Sequence, residues 1–158
     1  MASIEELKKV RISKLEFLKN QGQYPYPARV RKDYPNAHIH EYFDSLVASA
    51  QPIFLAGRVK AMRCHGGSAF LDIEDDTGEI QVFLQEDRLG EEKYKVFQDS
   101  ADVGDFIEVS GHLFKTKQDA KTLEVDSFRI VAKALRPLPE EWFGLKDIES
   151  RLRHRYLD

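Results

Sequence analysis

Apolar positions along the chain recur at two different spacings. Ile4, Leu7, Leu15 and Leu18 fall on one face at helical spacing, with Lys8, Lys9 and Lys19 around the rest of the cylinder. Ser3, three residues ahead of Glu6, fits a capping box that starts this helix. Gly22 and the run Tyr24-Pro25-Tyr26-Pro27 end it and force an extended path. A second short helix is predicted around Ile39–Ala48. After Pro52 the period changes to two, and Ile53–Arg63, Ser68–Glu74 and Glu79–Leu84 read as strands. Residues 91–101 return to helical spacing, with Tyr94 and Phe97 as apolar points, and Asp105–Thr116 and Leu123–Ala132 give two more strands.

Three strands, a helix and two strands is the element order of an OB-fold barrel. The predicted fold is therefore mainly β: a five-stranded OB-fold barrel with a helix between strands 3 and 4, preceded by one or two N-terminal helices. An SH3-like barrel competes but lacks the inserted helix. This divides the chain into a basic helical extension over residues 1–50, a barrel over 51–134 and a linker over 135–158. Barrels of this kind bind oligonucleotides on the outer face of strands 2 and 3.

The turn Asp75-Asp76-Thr77-Gly78 fixes how those two strands pair. Glu74 faces Glu79, Ile73 faces Ile80, Asp72 faces Gln81, Leu71 faces Val82 and Phe70 faces Phe83. Because side chains alternate, Ala69, Leu71, Ile73, Ile80, Val82 and Leu84 share one apolar face, which must be the interior. Phe70, Asp72, Gln81 and Phe83 are left outside. An outward aromatic offers a face for an unpaired base, and the diagonal Gln81 amide carries both donor and acceptor groups to read a base edge. Arg58, Lys60 and Arg63 on the preceding strand can add phosphate or base contacts. The competing reading has Phe70 and Phe83 packed under a loop or under the first helix; we expect Phe83 to pack and Phe70 to stack.

Charge changes this picture in one respect. The 158 residues hold 24 Lys and Arg against 27 Asp and Glu, a net −3, with 42% hydrophobic and 32% charged residues, an ordinary balance for a folded soluble domain. Residues 1–32 carry eight basic against three acidic side chains, a local +5, whereas residues 72–108 carry three against thirteen, a local −10. A mildly acidic total thus leaves room for a nucleic-acid partner met through a local field, and argues against sequence-blind coating of DNA. Lys8, Lys9, Arg11 and Lys14 either belong to a solvated docking helix or lie along a phosphate backbone. No run reaches the roughly 18 apolar residues of a membrane span, and the charged N-terminus is no secretory signal. Cys64 is the sole cysteine, which excludes an intramolecular disulfide and a cysteine-rich zinc site and fits a reducing cytoplasm.

The remaining candidates are weak. His38 and His40 lack further ligands, so no metal is expected. Cys64-His65 lacks an orienting third residue, and Gly66-Gly67 reads as a turn. Nothing in the chain reads as a catalytic site.

Several motifs occur in order: Arg11-Ile12-Ser13-Lys14-Leu15, Tyr24-Pro25-Tyr26-Pro27, Ala56-Gly57-Arg58-Val59, Ser68-Ala69-Phe70-Leu71-Asp72, Gly78-Glu79-Ile80-Gln81-Val82 and Val103-Gly104-Asp105-Phe106-Ile107. Leu113-Phe114-Lys115-Thr116-Lys117, Lys133–Pro139, Gly144–Arg151 and Arg155-Tyr156-Leu157-Asp158 follow. Together they resemble the N-terminal anticodon-binding domain of class II lysyl-tRNA synthetases over nearly the whole chain. Aspartyl- and asparaginyl-tRNA synthetases share the barrel and a similar ending, but do not usually carry the Leu135–Asp147 type of linker.

The resemblance implies that Phe70 stacks on the central anticodon uracil, that Gln81 hydrogen-bonds it, and that Arg63 is the basic residue near the anticodon. Thr122 stands where the family tends to have a glutamate reading the flanking uracils. Either Asp119 or Glu124 takes over that role, or the flanking uracils go unread at this point. The resemblance also implies a cytoplasmic, homodimeric parent ligase that uses ATP and Mg2+ to attach lysine to its tRNA. The present chain would be a non-catalytic, monomeric piece without cofactor or membrane contact, ending before the catalytic domain. Two other readings stand beside this one: a free-standing single-strand-binding OB module, and a protein-interaction barrel anchored by Phe70 and Phe83.

Overall fold

The computed structural model describes residues 2–138, 148–153 and 155; of the 135–158 linker, residues 139–147, 154 and 156–158 lie outside the described residues. The chain begins with helix α1 (Ile4–Asn20), whose Ser3 cap and Glu6 form the expected reciprocal bonds. The second predicted helix is two, α2 (Asn36–Glu41) and α3 (Phe43–Ser49), broken at Tyr42. Five strands follow: β1 (Ile53–His65), β2 (Ser68–Glu74), β3 (Glu79–Gln85), β4 (Phe106–Lys115) and β5 (Lys121–Ala132). Between β3 and β4 lie a single turn, α4 (Glu86–Leu89), and the helix α5 (Glu91–Ser100). A last short helix is α6 (Ile148–Arg153).

The strands close into a barrel in the order β1-β2-β3-β5-β4. All pairs are antiparallel except β3 with β5, where Gln81, Val82 and Phe83 run parallel to Thr122, Leu123 and Glu124. The β2–β3 register is the one expected, from Phe70 opposite Phe83 to Glu74 opposite Glu79. The six predicted interior side chains of this hairpin are all buried, beside Leu55, Val59, Ile107, Val109, Leu123 and Val125. Closure requires β4 and β5 to come very close at Gly111, where the register also slips. A Cβ there would sit 1.8 Å from the Glu124 carbonyl, so only glycine fits.

Within α5, Tyr94 and Phe97 are buried, and Phe97 meets Phe128 edge to face at 5.3 Å. Helix α1 leans on α5, but the apolar stripe is only partly used. Leu18 is fully buried whereas Ile4 is 64% exposed. The reason is length: 17 residues make about 25 Å of helix and the 10 residues of α5 only about 15 Å, so the first turns of α1 overhang.

A charged cluster fastens α1 to the barrel. The buried Lys133 ammonium donates to Asp102 at 2.6 Å and to the buried Asp105 at 2.7 Å, and Lys14 also donates to Asp102 at 2.6 Å. Burial raises the Asp102 carboxyl, but hydrogen bonds from Lys133 and Lys14 prevail and hold it below the usual carboxylate range. Arg11 donates to the carbonyls of Ala134 at 2.9 Å and Val103 at 3.2 Å. Arg11 and Lys14, two of the four basic side chains for which docking and a phosphate backbone were both open, are thus engaged inside the molecule.

Candidate nucleic-acid interface

On the outer face of β2 and β3, Phe70 and Phe83 stack with centroids 4.6 Å apart and planes 29° from parallel. Both rings are half-buried. Phe114 of β4 stands 6.3 Å from Phe83 and extends the aromatic floor. Above this floor lies an open cleft of about 640 Å³, walled by Arg63 and Gln81 and rimmed by Thr116, Lys117, Gln118 and Ala120. The expectation that Phe83 packs and Phe70 stacks reduces to one plate built from both rings.

Arg63 reaches the outer face through a register shift in β1 between Val59 and Ala61. Strict alternation from Val59, an interior residue, would turn Arg63 inward as well. The extra residue, Lys60, reverses the phase and sets Arg63 opposite Phe70. There its guanidinium donates to both carboxylate oxygens of Asp72, at 2.9 and 3.3 Å. This pairing raises the Arg63 pKa, and the side chain remains 47% exposed. Asp72 therefore steers Arg63 and does not line the cleft. The guanidinium is held by Asp72 at the wall of the cleft, next to Phe70 in the ladder, where it can meet a base edge or a phosphate.

Arg58 does not line the cleft. It lies opposite Glu74 and Phe106, five residues along β1 from Arg63, which is about 16 Å of strand. Its guanidinium covers the Phe106 ring at 4.6 Å, and its Nε is buried without a hydrogen-bond partner. Lys60 pairs with Glu74 at 3.0 Å. On α1, Lys9 is exposed and Lys8 half-buried.

Gln81 is tied to β5. Its Nε2 donates to Thr122 Oγ1 at 3.1 Å, and Thr122 Oγ1 donates to the Ala120 carbonyl at 3.1 Å. Of the two acidic residues that could replace a glutamate at position 122, Glu124 accepts a hydrogen bond from Arg88 at 2.8 Å. Asp119 sits in a left-handed turn conformation, 84% exposed, 3.6 Å from Lys115. Neither lines the cleft.

Sequence pattern did not point to Phe114, Thr116, Lys117, Gln118 or Ala120. These reach the cleft because β5 pairs parallel with β3, which brings the β4–β5 hairpin beside Phe83. The outward position of Phe114 near the end of an alternating strand was the one signal available.

His38 stacks between Tyr34 at 4.8 Å and Tyr42 at 4.4 Å, and His40 bonds the Glu79 carbonyl at 2.7 Å. Among the described residues, no group of three or more His, Cys, Asp or Glu is placed to hold a metal ion, and no helix is long and apolar enough to cross a membrane.

Comparison with known proteins agrees with this geometry. Residues 53–131 match the tRNA anti-codon family described as "OB-fold nucleic acid binding domain". The lysine–tRNA ligase of Carboxydothermus hydrogenoformans is 42% identical over 155 residues, covering 98% of this chain and 31% of that relative. The lysine–tRNA ligase of Thermotoga maritima is 38% identical over 159 residues, 98% of this chain and 32% of the relative. That of Aquifex aeolicus is 49% identical over 120 residues, 76% of this chain and 20% of the relative. The chain thus spans less than a third of the length of these three relatives.

Proposed function

Because the chain belongs to the family of OB-fold nucleic acid binding domains and is homologous to lysine–tRNA ligases, we propose that it binds the anticodon loop of a tRNA and prefers the UUU of lysine tRNA. The observation that carries this reading is the Phe70–Phe83 plate at the floor of an open cleft with the Gln81 amide at its wall. A base splayed from the loop stacks on the plate, while Gln81 supplies edge hydrogen bonds. Arg63 and Lys117, on either side, balance the charge of the flanking phosphates.

Fluorescence titration with short stem-loops carrying UUU, UCU or CCC tests the reading. Tightest binding to UUU, lost in Phe70→Ala and Gln81→Ala, supports it. Equal binding to all three favours a free-standing single-strand module, and no binding favours a protein-interaction barrel. An aspartyl- or asparaginyl-type domain would instead prefer the anticodon loops of those tRNAs.

In the longer protein, the ligase chemistry with its ATP and Mg2+ belongs to the length that these relatives have beyond the match. We expect no pyrophosphate exchange when this chain alone is mixed with lysine and ATP.

A further inference from the structure

We propose that Thr122 is a positioning residue that sets the donor–acceptor order of the Gln81 amide and so fits the cleft to uracil over cytosine; this rests on the anticodon-loop reading above. A hydroxyl has one proton to give. Thr122 Oγ1 gives it to the Ala120 carbonyl at 3.1 Å in this fully buried position, so toward Gln81 it accepts. Gln81 meets that demand with Nε2–H at 3.1 Å. With the amide reversed, Thr122 would turn its proton from the Ala120 carbonyl, which also accepts from the Thr116 amide at 3.0 Å, to the Gln81 oxygen, leaving one hydrogen bond in place of two. The loss of a buried hydrogen bond on reversal favours the orientation seen here.

The backbone holds the pair together, because Gln81 and Thr122 are direct partners in the parallel β3–β5 ladder. With its nitrogen drawn toward β5, the amide leaves its carbonyl oxygen as the acceptor for a bound base. Uracil carries a ring N3–H that such an acceptor can take. Cytosine carries a lone pair at the same ring position and meets it with repulsion. Thr122 touches no base in this scheme; it acts only through Gln81.

The test compares wild type, Thr122→Val, Thr122→Ser and Gln81→Ala for binding to stem-loops with UUU or UCU, with thermal melting of each variant. Valine keeps the shape and removes both hydrogen-bonding functions, whereas serine keeps the hydroxyl. The UUU-over-UCU ratio is expected to fall about tenfold in Thr122→Val, the scale of one mis-set hydrogen bond, and to be retained in Thr122→Ser. If Thr122→Val does not melt cooperatively, Thr122→Ala takes its place with the same expected loss. A full ratio in the valine or alanine variant, with the ratio lost in Gln81→Ala, overturns the role of Thr122 while the anticodon reading stands. Absence of any UUU preference in the wild type overturns the anticodon reading itself.

Discussion

Arg63 stands opposite Phe70 across the β1–β2 ladder, and it does so because β1 carries one extra residue between Val59 and Ala61. A cation is thereby brought to the edge of an aromatic plate, while Asp72 holds it by two hydrogen bonds. On the proposed reading the arrangement separates two jobs: the rings take the face of a base, and the guanidinium meets its edge or its phosphate.

Phe70→Ala should weaken binding of a UUU stem-loop by about 1–3 kcal/mol, the usual worth of one base–aromatic stack. The ring is only half-buried, so melting should stay cooperative and within about 5 °C of wild type. Fluorescence titration and thermal melting check the two halves. Collapse of the fold would show that the ring is needed for packing.

Arg63→Gln should flatten the salt dependence of RNA binding. One phosphate interaction fewer changes the slope of log K against log salt by about 0.7 for a single strand. Titrations at several salt concentrations give this slope directly. An unchanged slope would mean that Arg63 serves only Asp72.

Lys133→Met should destabilise the fold by about 3–5 kcal/mol, because it strands the buried Asp105 carboxylate and removes one of the two cations on Asp102. Denaturant unfolding measures the loss. A companion Lys14→Met change, at a partly exposed position, should cost less.

Stability should fall as the solution is acidified. Burial raises the carboxyl of Asp75, but hydrogen bonds from Lys32, Thr77 and Asn36 prevail and hold it well below the usual range. Asp102 is depressed by Lys133 and Lys14, and Glu108 by Arg129 and Arg31, each against the opposing effect of burial. Groups with lowered native pKa values contribute fully above the ordinary carboxylate range, and lose that contribution as pH drops through it toward their own values. Melting temperature should therefore be steady near neutrality and decline below about pH 4. A flat profile down to pH 3 would count against this network.

The chain's own pattern determined the barrel, the β2–β3 register and the pairing of Phe70 with Phe83. All three follow from local alternation around one four-residue turn, and a strand's faces are set by the period of two. What no local rule could supply was the long-range joining. The register slip in β1 turns Arg63 outward and leaves Arg58 over Phe106, away from the cleft. The parallel β3–β5 ladder carries Phe114 to the floor and Lys117 to the rim of the cleft, and gives Gln81 a buried hydroxyl partner. Whether Arg11 and Lys14 serve docking or a phosphate backbone stayed open because their partners, the Ala134 carbonyl and Asp102, lie far along the chain. Periodicity reports which way a side chain points relative to its neighbours in sequence; which strand or helix then lies against it depends on barrel closure, and that is decided only when the whole chain packs.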